Sequence, residues 1–290
     1  MSDLTASNQY AARPVRLGES DPYGDRPSGE FICNVVSNEW LNNEYKLIAL
    51  DAPTRALNAV AGQFFYLLCP SPDGAEVWMR RPMSVYTVNK EAGRIAFLYK
   101  CQGRGTQGMA MLKTGDEFNI VGPLGIGFNL EPAWKNIVVL GRGVGLATLA
   151  PLSQMAADSG VHVTAILSAR SPELIMSRDL FEDLGADIIE VADSDGSSDV
   201  DKVETMLTGL IADNKADAFF TCGSNRLLQL MKRLGKEHDV PGQVAMEQLM
   251  ACGMGACYIC VRTFEVNGKK ILRRVCREGP VFDMQETVGW

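Results

Sequence analysis

The chain has 290 residues, 46% of them hydrophobic and 22% charged, a balance that is typical of globular proteins and leaves room for two domains and a small third. Its formal net charge of −7 argues against a nucleic-acid-binding surface, which needs a cluster of basic residues. Because no apolar run is long enough to span a bilayer and the N-terminus has no apolar signal core, we expect a cytoplasmic protein without a membrane span.

The first element in chain order is an irregular segment, residues 1–29. It is rich in Pro, Gly, Ser, Asp and Arg and shows no apolar period, so we expect an N-terminal arm without a core of its own. Over residues 30–133 the pattern changes to short strand-like runs separated by turn residues, which predicts an antiparallel β-barrel domain. The runs are EFICNVVSNEW, YKLIALDAP, GQFFYLLCP, RPMSVYTVN, RIAFLYKC and DEFNIVGPLG.

Two short motifs in the barrel region favour binding of a flavin with a diphosphate. In WMRRPMSVYTV, the Arg81 guanidinium can sit on a diphosphate and the Ser84 hydroxyl can reach the edge of an isoalloxazine ring. In YKCQGRGTQG, Gly103, Gly105 and Thr106 precede a short predicted helix, and a glycine-rich turn at a helix N-terminus suits phosphate. Each motif alone is equally compatible with an ordinary turn. Their order within one barrel favours the flavin.

Residues 134–243 alternate buried strands with helices, which predicts a doubly wound α/β domain that binds a nucleotide. The last predicted strand, DAFFTCGS, places Cys222 and Gly223 at a strand end, where open α/β sheets bind their ligands. The predicted strands before it are KNIVVLGRGVG, HVTAILSARSP and DIIEVADSDG, and the predicted helices are LATLAPLSQMAADSG, PELIMSRDLFEDLG, DVDKVETMLTGLIADN and NRLLQLMKRLGKEH.

The first strand of this domain leads into a glycine-rich turn, VVLGRGVGLATLAP. Gly141, Gly143 and Gly145 fit the close approach of a pyrophosphate, but Thr148 stands where dinucleotide-binding turns have a third small residue. The next strand does not end in the usual acidic residue and leads instead to Arg170. The dinucleotide pattern is therefore only partly met, and a turn without a ligand stays an alternative.

The remaining segment, residues 244–290, contains four of the eight cysteines. Cytoplasmic thiols stay reduced, so the eight cysteines are not expected to form disulfides. The four that lie outside this segment are interpreted as buried free thiols, namely Cys33, Cys69, Cys101 and Cys222.

The cysteines of the C-terminal segment have the spacing Cys252-x4-Cys257-x2-Cys260, and Cys276 follows after fifteen residues. The x4, x2 spacing matches the plant-type ferredoxin arrangement for a [2Fe–2S] cluster. The intervening VRTFEVNGKKILRRV predicts a hairpin with its turn at Asn267-Gly268, which would return Cys276 beside the other three. A structural zinc site and unliganded thiols stay as alternatives, although zinc prefers paired C-x2-C motifs and only one occurs here.

Taken in order, these motifs resemble a known family. RPMS, GRGT, GPLGIGF, the glycine turn, CGS and ACGMGACYIC with RRVCREGPVF are similar to the electron-transfer subunits of class 1B dihydroorotate dehydrogenases, within the ferredoxin–NADP reductase-like superfamily. The resemblance covers residues 30–290. It implies a flavin-binding β-barrel, a nucleotide-binding α/β domain and a small C-terminal [2Fe–2S] domain.

Carried over residue by residue, the resemblance also implies the site residues. FAD would be contacted by Arg81, Pro82, Met83, Ser84, Tyr99, Lys100, Gly105 and Thr106. NADH or NADPH would be held by Gly141, Gly143, Gly145, Cys222 and Gly223, and the [2Fe–2S] cluster by Cys252, Cys257, Cys260 and Cys276. Hydride transfer needs no acid–base side chain, so no catalytic residue is expected. One departure is Arg142, which adds a charge where a glycine is usual in this family.

The activity implied by the resemblance is electron transfer. Such a subunit oxidises NADH or NADPH at FAD and passes single electrons through the cluster to a partner oxidoreductase subunit. The partner is expected to be an FMN-containing dihydroorotate dehydrogenase-type flavoprotein, and the two subunits are expected to form a hetero-oligomer. One alternative is the flavin subunit of an electron-bifurcating transhydrogenase or a sulfhydrogenase-type complex. A non-enzymatic adaptor that binds zinc is the other.

Overall fold

The computed structural model describes residues 14–21, 26–74 and 77–289. The rest of the predicted N-terminal arm, residues 1–13 and 22–25, lies outside the described residues. Within its described part, strand β1 (Val15–Arg16) pairs in parallel with β2 (Gly29–Trp40), so this part of the chain is attached to the domain that follows.

The N-terminal domain is an antiparallel sheet, as the strand-like runs predict. Its further strands are β3 (Tyr45–Asp51), β4 (Phe64–Leu67), β5 (Arg81–Ser84), β6 (Thr87–Asn89), β7 (Arg94–Lys100) and β8 (Glu117–Leu124), and helix α1 (Gly103–Ala110) lies between the last two. The strand order is β5-β4-β8-β2-β3-β7-β6. Only Val85 and Tyr86 separate β5 from β6, although these strands form opposite edges, so the two edges meet and the sheet closes into a barrel.

The second domain is the predicted α/β domain. It contains strands β9 (Asn136–Arg142), β10 (His162–Ala169), β11 (Asp187–Ala192), β12 (Ala218–Cys222) and β13 (Gly242–Ala245), with helices α2 (Gly145–Asp158), α3 (Arg178–Asp183), α4 (Val200–Ala212) and α5 (Asn225–Glu237). These strands are parallel in the order β11-β10-β9-β12-β13. The order reverses between β9 and β12, and ligands of open α/β sheets bind at such a switch point. None of the described helices is both long and apolar enough to cross a membrane.

One predicted helix is interrupted. The segment PELIMSRDLFEDLG forms a short 3-10 turn at Pro172–Leu174 and then α3, and between them Ser177 adopts a left-handed backbone with φ of 65°. Leu174 and Met176 are buried against a cluster of barrel and helix side chains, and the Tyr86 hydroxyl lies 3.0 Å from the Ser177 Oγ. Packing against the barrel therefore overrides the helical pattern of the sequence.

The cysteine segment leaves from the α/β sheet and returns to it. After β13 come the cysteine loop, the hairpin β14 (Val261–Val266) and β15 (Lys269–Arg274), helix α6 (Val275–Glu278) and strand β16 (Val281–Asp283), which pairs antiparallel with β13. The domain boundary predicted between residues 243 and 244 lies within β13. The predicted hairpin is confirmed: Val266 pairs with Lys269 and Val261 with Arg274.

Candidate functional site

A cavity of about 550 Å³ lies between the barrel and helix α2. All four residues of the RPMS motif line it, because β5 forms one wall of the cavity. Helix α2 and the segment after β13 form the other walls. The lining residues from the barrel are Phe64, Arg81, Pro82, Met83, Ser84, Leu98, Lys100, Gln102 and Thr106, and those from the other walls are Val144, Ala147, Thr148, Met246, Glu247, Gln248, Leu249, Met250 and Pro280.

The two cations of this cavity are placed by short local contacts. Arg81 packs over Gly105, where an added Cβ would lie 2.8 Å from the Arg81 Nε, so a glycine is needed for the guanidinium to reach this position. Thr106 closes the start of α1, since its hydroxyl accepts from the Gln102 N–H at 2.8 Å and donates to the Gln102 carbonyl oxygen. Lys100 lies at the end of β7 and contributes the second cation. The positive charge and the volume of this cavity suit a ligand that carries a diphosphate and a ring system.

Tyr99 is not brought to the cavity. Its side chain is fully buried in the barrel core, and its hydroxyl donates to the Asn38 Oδ1 at 2.9 Å. Side chains alternate along a strand, so Leu98 and Lys100 of β7 face the cavity while Tyr99 points to the opposite face.

A second cavity of about 220 Å³ opens at the carboxyl ends of β9 and β10. Gly143 and Gly223 line it, and both have left-handed backbones with φ of 55° and 90°. At Gly223 an added Cβ would lie only 2.3 Å from the Arg142 carbonyl oxygen, so only glycine allows the two turns to approach. The other lining residues are Tyr45, Arg142, Val144, Ala169, Arg170, Leu174 and Glu247.

Three predicted nucleotide residues lie beneath this cavity. An added Cβ at Gly145 would lie 2.5 Å from the Cys222 carbonyl oxygen, and one at Gly141 would lie 2.6 Å from the Leu146 Cδ2. Both glycines thus let α2 pack closely on the strand ends. Cys222 is buried, and its burial, followed by the nearby Glu247 charge, raises the pKa of its thiol. This thiol is a neutral packing group at physiological pH.

Charged pairs surround the nucleotide cavity. Arg142 lies 3.0 Å from the Ser168 Oγ and 3.1 Å from the Asp193 Oδ1, and hydrogen bonds from Arg142 hold the pKa of the Asp193 carboxyl below its usual value. Arg170 pairs with Glu44, which belongs to the barrel domain. The cavity is therefore bordered by fixed ion pairs from both domains.

Sequence reasoning did not assign Thr148 and Glu247 to a site. The Thr148 hydroxyl donates to the Ser84 Oγ at 2.9 Å, and Glu247 lines both cavities. Although part of the Glu247 side chain is exposed, desolvation by its surroundings raises the pKa of its carboxyl. For Thr148 the sequence did contain a signal of a site residue, because a polar side chain stands there among the apolar residues of α2. Glu247 had none, because it lies in an irregular segment.

The cysteine loop brings its thiols together in two pairs. The Cys252 Sγ accepts from the Cys257 N–H at 3.4 Å. The Cys260 and Cys276 sulfurs lie 3.2 Å apart, and the Val275 N–H donates to the Cys260 carbonyl oxygen at 3.1 Å. The hairpin thus returns Cys276 to the loop, as predicted.

Backbone N–H groups point at the Cys252 sulfur. Burial opposes ionisation of this thiol, but donation from Cys257, Met254 and Ala256 outweighs it and lowers the pKa to about 6. Gly253 and Gly255 have φ of 68° and 83°, which gives the loop the curl expected from the sequence. The loop is therefore shaped to stabilise a thiolate.

The donor set fits a two-iron cluster better than a single metal ion. Within residues 14–21, 26–74 and 77–289, no group of three or more Cys, His, Asp or Glu side chains is gathered around one metal-sized site. Two separate pairs of thiols are instead what a [2Fe–2S] cluster takes, since four cysteines are shared between two irons. A zinc ion would need four ligands around one centre.

Tyr66 connects the flavin cavity with the cysteine loop. It pairs with Pro82 across β4 and β5, and an added Cβ at Gly253 would lie 2.8 Å from its ring. Its hydroxyl is buried without a hydrogen-bond partner among the described residues. Burial, followed by the charges of the four cysteines, raises the pKa of this hydroxyl. The loop therefore packs directly on the strand next to the RPMS motif.

Comparisons with known proteins agree with this arrangement. The family model described as the iron–sulfur cluster binding domain of dihydroorotate dehydrogenase B matches residues 247–288, and the oxidoreductase FAD-binding domain matches residues 33–128. The chain is 32% identical over 238 residues to the dihydroorotate dehydrogenase B (NAD(+)) electron transfer subunit of Desulforamulus reducens, covering 82% of this chain and 90% of that one. It is 33% identical to the subunit of the same name from Listeria innocua, covering 78% and 86%.

Solved structures extend the comparison. A structure of an NADH-dependent reduced ferredoxin–NADP oxidoreductase, described for flavin-based electron bifurcation, has a TM-score of 0.74 and 26% identity, and 88% of each chain is covered. The ferredoxin–NADP+ reductase of Plasmodium falciparum has a TM-score of 0.58 at 15% identity, covering 72% of this chain and 90% of that one. The latter likeness concerns the fold alone.

Proposed function

Because the chain belongs to the family of dihydroorotate dehydrogenase B electron-transfer subunits, we propose that it oxidises NADH at FAD and delivers single electrons through a [2Fe–2S] cluster to a partner subunit. One observation carries the proposal: the three candidate sites are contiguous. The nucleotide and flavin cavities share Val144 and Glu247, and the wall of the flavin cavity continues through Tyr66 to the cysteine loop.

The proposed order of the sites suits the chemistry. When bound, FAD would supply a group able to exchange both electron pairs and single electrons, as is needed between a nicotinamide and a one-electron iron–sulfur cluster. The residues of the chain would bind and orient the groups: Arg81 would neutralise the FAD diphosphate, and Ser84 would direct its hydroxyl towards the flavin ring. Lys100 lines the same cavity while its Nζ lies 2.9 Å from the Glu44 Oε2. Gly143 and Gly223 would let the dinucleotide approach the backbone.

The cysteine loop would supply the ligands of the cluster and stabilise their negative charge. Cys252, Cys257, Cys260 and Cys276 would hold the cluster as two pairs. The N–H groups that face the Cys252 sulfur would stabilise its negative charge, which hydrogen bonds to cluster sulfurs generally do. We place the protein in the cytoplasm, where these thiols stay reduced and available as ligands.

Exposed apolar side chains around the cysteine loop support a partner subunit. Five of the ten large apolar side chains that are more than half exposed among the described residues belong to the segment that carries the cysteines, and exposed apolar surface of this kind marks interaction sites. They are Leu249, Met254, Tyr258, Ile259 and Leu272. We propose that a catalytic FMN-containing dihydroorotate dehydrogenase-type subunit covers this surface and forms a hetero-oligomer with the chain.

A second candidate partner follows from one comparison. The solved structure with a TM-score of 0.74 is described for flavin-based electron bifurcation, so the chain could serve as the flavin subunit of a bifurcating transhydrogenase or a sulfhydrogenase-type complex. The two candidates differ in their partners. A copurifying subunit with FMN supports the first, and one with several [4Fe–4S] clusters supports the second.

The visible spectrum of the anaerobic protein, before and after NADH, tests the proposal. We expect flavin bands and a broad iron–sulfur absorbance, both bleached by NADH. A protein that contains FAD and iron but is not bleached by NADH would contradict the proposed activity. Zinc in place of iron, with no flavin, would instead support the adaptor.

A further inference from the structure

Arg170 follows the second strand of the α/β domain, at a position where an NADH site usually has an acidic residue. In dinucleotide-binding domains an acidic residue near this strand end contacts the ribose 2′-hydroxyl, whereas an arginine accommodates the 2′-phosphate of NADPH. Here β10 ends at Ala169, and Arg170 follows and lines the nucleotide cavity. By this criterion alone, the chain would prefer NADPH.

The guanidinium of Arg170 is already engaged by a residue of the other domain. It donates to the Oε1 of Glu44, which immediately precedes β3 of the barrel. The Oε2 of Glu44 lies 2.9 Å from the Lys100 Nζ, so two cations fix one carboxylate in place. Hydrogen bonds from Lys100 and Arg170 hold the pKa of Glu44 below its usual value, and the carboxylate is therefore charged at neutral pH.

The other arginines near the cavity also face a carboxylate. Asp193 lies 3.1 Å from Arg142 and 3.4 Å from Arg226, which is the second residue of α5. Each of the three guanidinium groups at this edge of the sheet is therefore paired within the described chain. An added phosphate would have to compete with Glu44 for Arg170 and with Asp193 for Arg142 and Arg226.

We propose that Glu44 makes the nucleotide cavity selective for NADH by occupying Arg170, an inference that rests on the NADH-oxidising function proposed above. A 2′-phosphate carries nearly two negative charges at neutral pH. It would be repelled by the Glu44 carboxylate and could reach Arg170 only by displacing it. The neutral 2′-hydroxyl of NADH is not repelled. The selectivity element thus comes from the flavin domain and not from the nucleotide domain.

The test compares both nucleotides on the full-length protein loaded with FAD, with ferricyanide as the electron acceptor. The wild-type protein should have the higher kcat/KM with NADH. Glu44→Gln keeps the shape of the side chain and removes its charge, so we expect the NADPH-to-NADH ratio of kcat/KM to rise about threefold to fivefold, a change typical of one charge in an ion pair whose arginine is 57% exposed. The double variant Glu44→Gln/Arg170→Ala should lose this gain.

A matched control is available at the other end of β3. Asp51, the last residue of β3, pairs with Arg94 at 3.2 Å, and Asp51→Asn removes the same charge outside the lining of either cavity. It should leave the ratio unchanged. Dissociation constants for NAD+ and NADP+, measured by calorimetry on the same variants, give the selectivity without turnover.

Three results would overturn the inference: a wild-type preference for NADPH, a ratio unchanged within twofold in Glu44→Gln, or a gain that persists without Arg170. Loss of NADH oxidation in an FAD-loaded wild-type protein would contradict the proposed function instead. In that case the binding ratio would still decide the role of Glu44.

Discussion

The hydroxyl groups of Ser84 and Thr148 are joined by a hydrogen bond of 2.9 Å that links the barrel to helix α2. Thr148 is buried, so this bond fixes the RPMS motif against the helix that follows the glycine turn. Since Ser84 lines the flavin cavity, its orientation depends on a residue of the other domain.

Thr148→Val should slow reduction of the bound flavin by NADH. The substitution removes the hydroxyl with little change of shape and leaves Ser84 without this partner. One neutral hydrogen bond is worth about 1 kcal/mol, which corresponds to roughly a fivefold lower rate constant in anaerobic stopped-flow measurements. Thr148→Ser should restore most of the rate, and a wild-type rate constant in Thr148→Val would show that this bond does not position Ser84.

Arg81→Ala should weaken FAD binding about tenfold or more, because a charged hydrogen bond contributes about 1.5–3 kcal/mol. Titration of the apoprotein with FAD measures the change. The neighbouring Arg80 is the control, since it faces away and pairs with Glu30 at 2.7 Å and Asn119 at 2.6 Å. Arg80→Ala should keep the FAD affinity within about twofold of the wild-type value. It should lower the free energy of unfolding, because it removes a half-buried ion pair. Equal losses of affinity in both variants would contradict the assignment.

Cys276→Ser should abolish stable assembly of the iron–sulfur cluster, since it removes one thiol of the Cys260–Cys276 pair. The iron content and the visible absorbance of the purified protein measure the loss, while FAD content should be retained. Cys101→Ser serves as the control because Cys101 hydrogen-bonds with the Thr106 carbonyl oxygen outside the loop. A full iron content in Cys276→Ser would refute the ligand set.

Gly145→Ala should destabilise the α/β domain and weaken nucleotide binding. The new methyl group would lie 2.5 Å from the Cys222 carbonyl oxygen, and backbone cannot move aside as a side chain can. Overpacking of this kind lowers the free energy of unfolding by about 1–3 kcal/mol. Gly209→Ala is the matched control in α4, where an added Cβ would meet no described atom within 4 Å beyond its chain neighbours and the backbone of its own helix. It should instead raise the free energy of unfolding by about 0.5–1 kcal/mol. Denaturant unfolding of both variants distinguishes the two outcomes.

Local patterns in the sequence predicted most of the architecture. Alternating short runs gave the antiparallel domain, and the alternation of strands with helices gave the parallel sheet. The register of the β14–β15 hairpin followed from Asn267-Gly268 alone, because a two-residue turn determines which residues face each other along both strands. The spacing of Cys252, Cys257 and Cys260, with Cys276 beyond the hairpin, marked these four as the candidate cluster ligands, because ligand spacing is also a local property of the chain.

The sequence by itself determined which residue types stand at the turns, strand ends and cysteine loop, because glycine conformations, hairpin registers and ligand spacings are local properties of the chain. Only the tertiary structure decided that Tyr99 faces the barrel core, that Thr148 reaches Ser84 and that Glu44 meets Arg170. Glu44 and Arg170 are 126 positions apart in the sequence, and their side chains meet only because two separate domains pack against each other. No local pattern encodes such a contact, since it depends on the relative position of whole sheets.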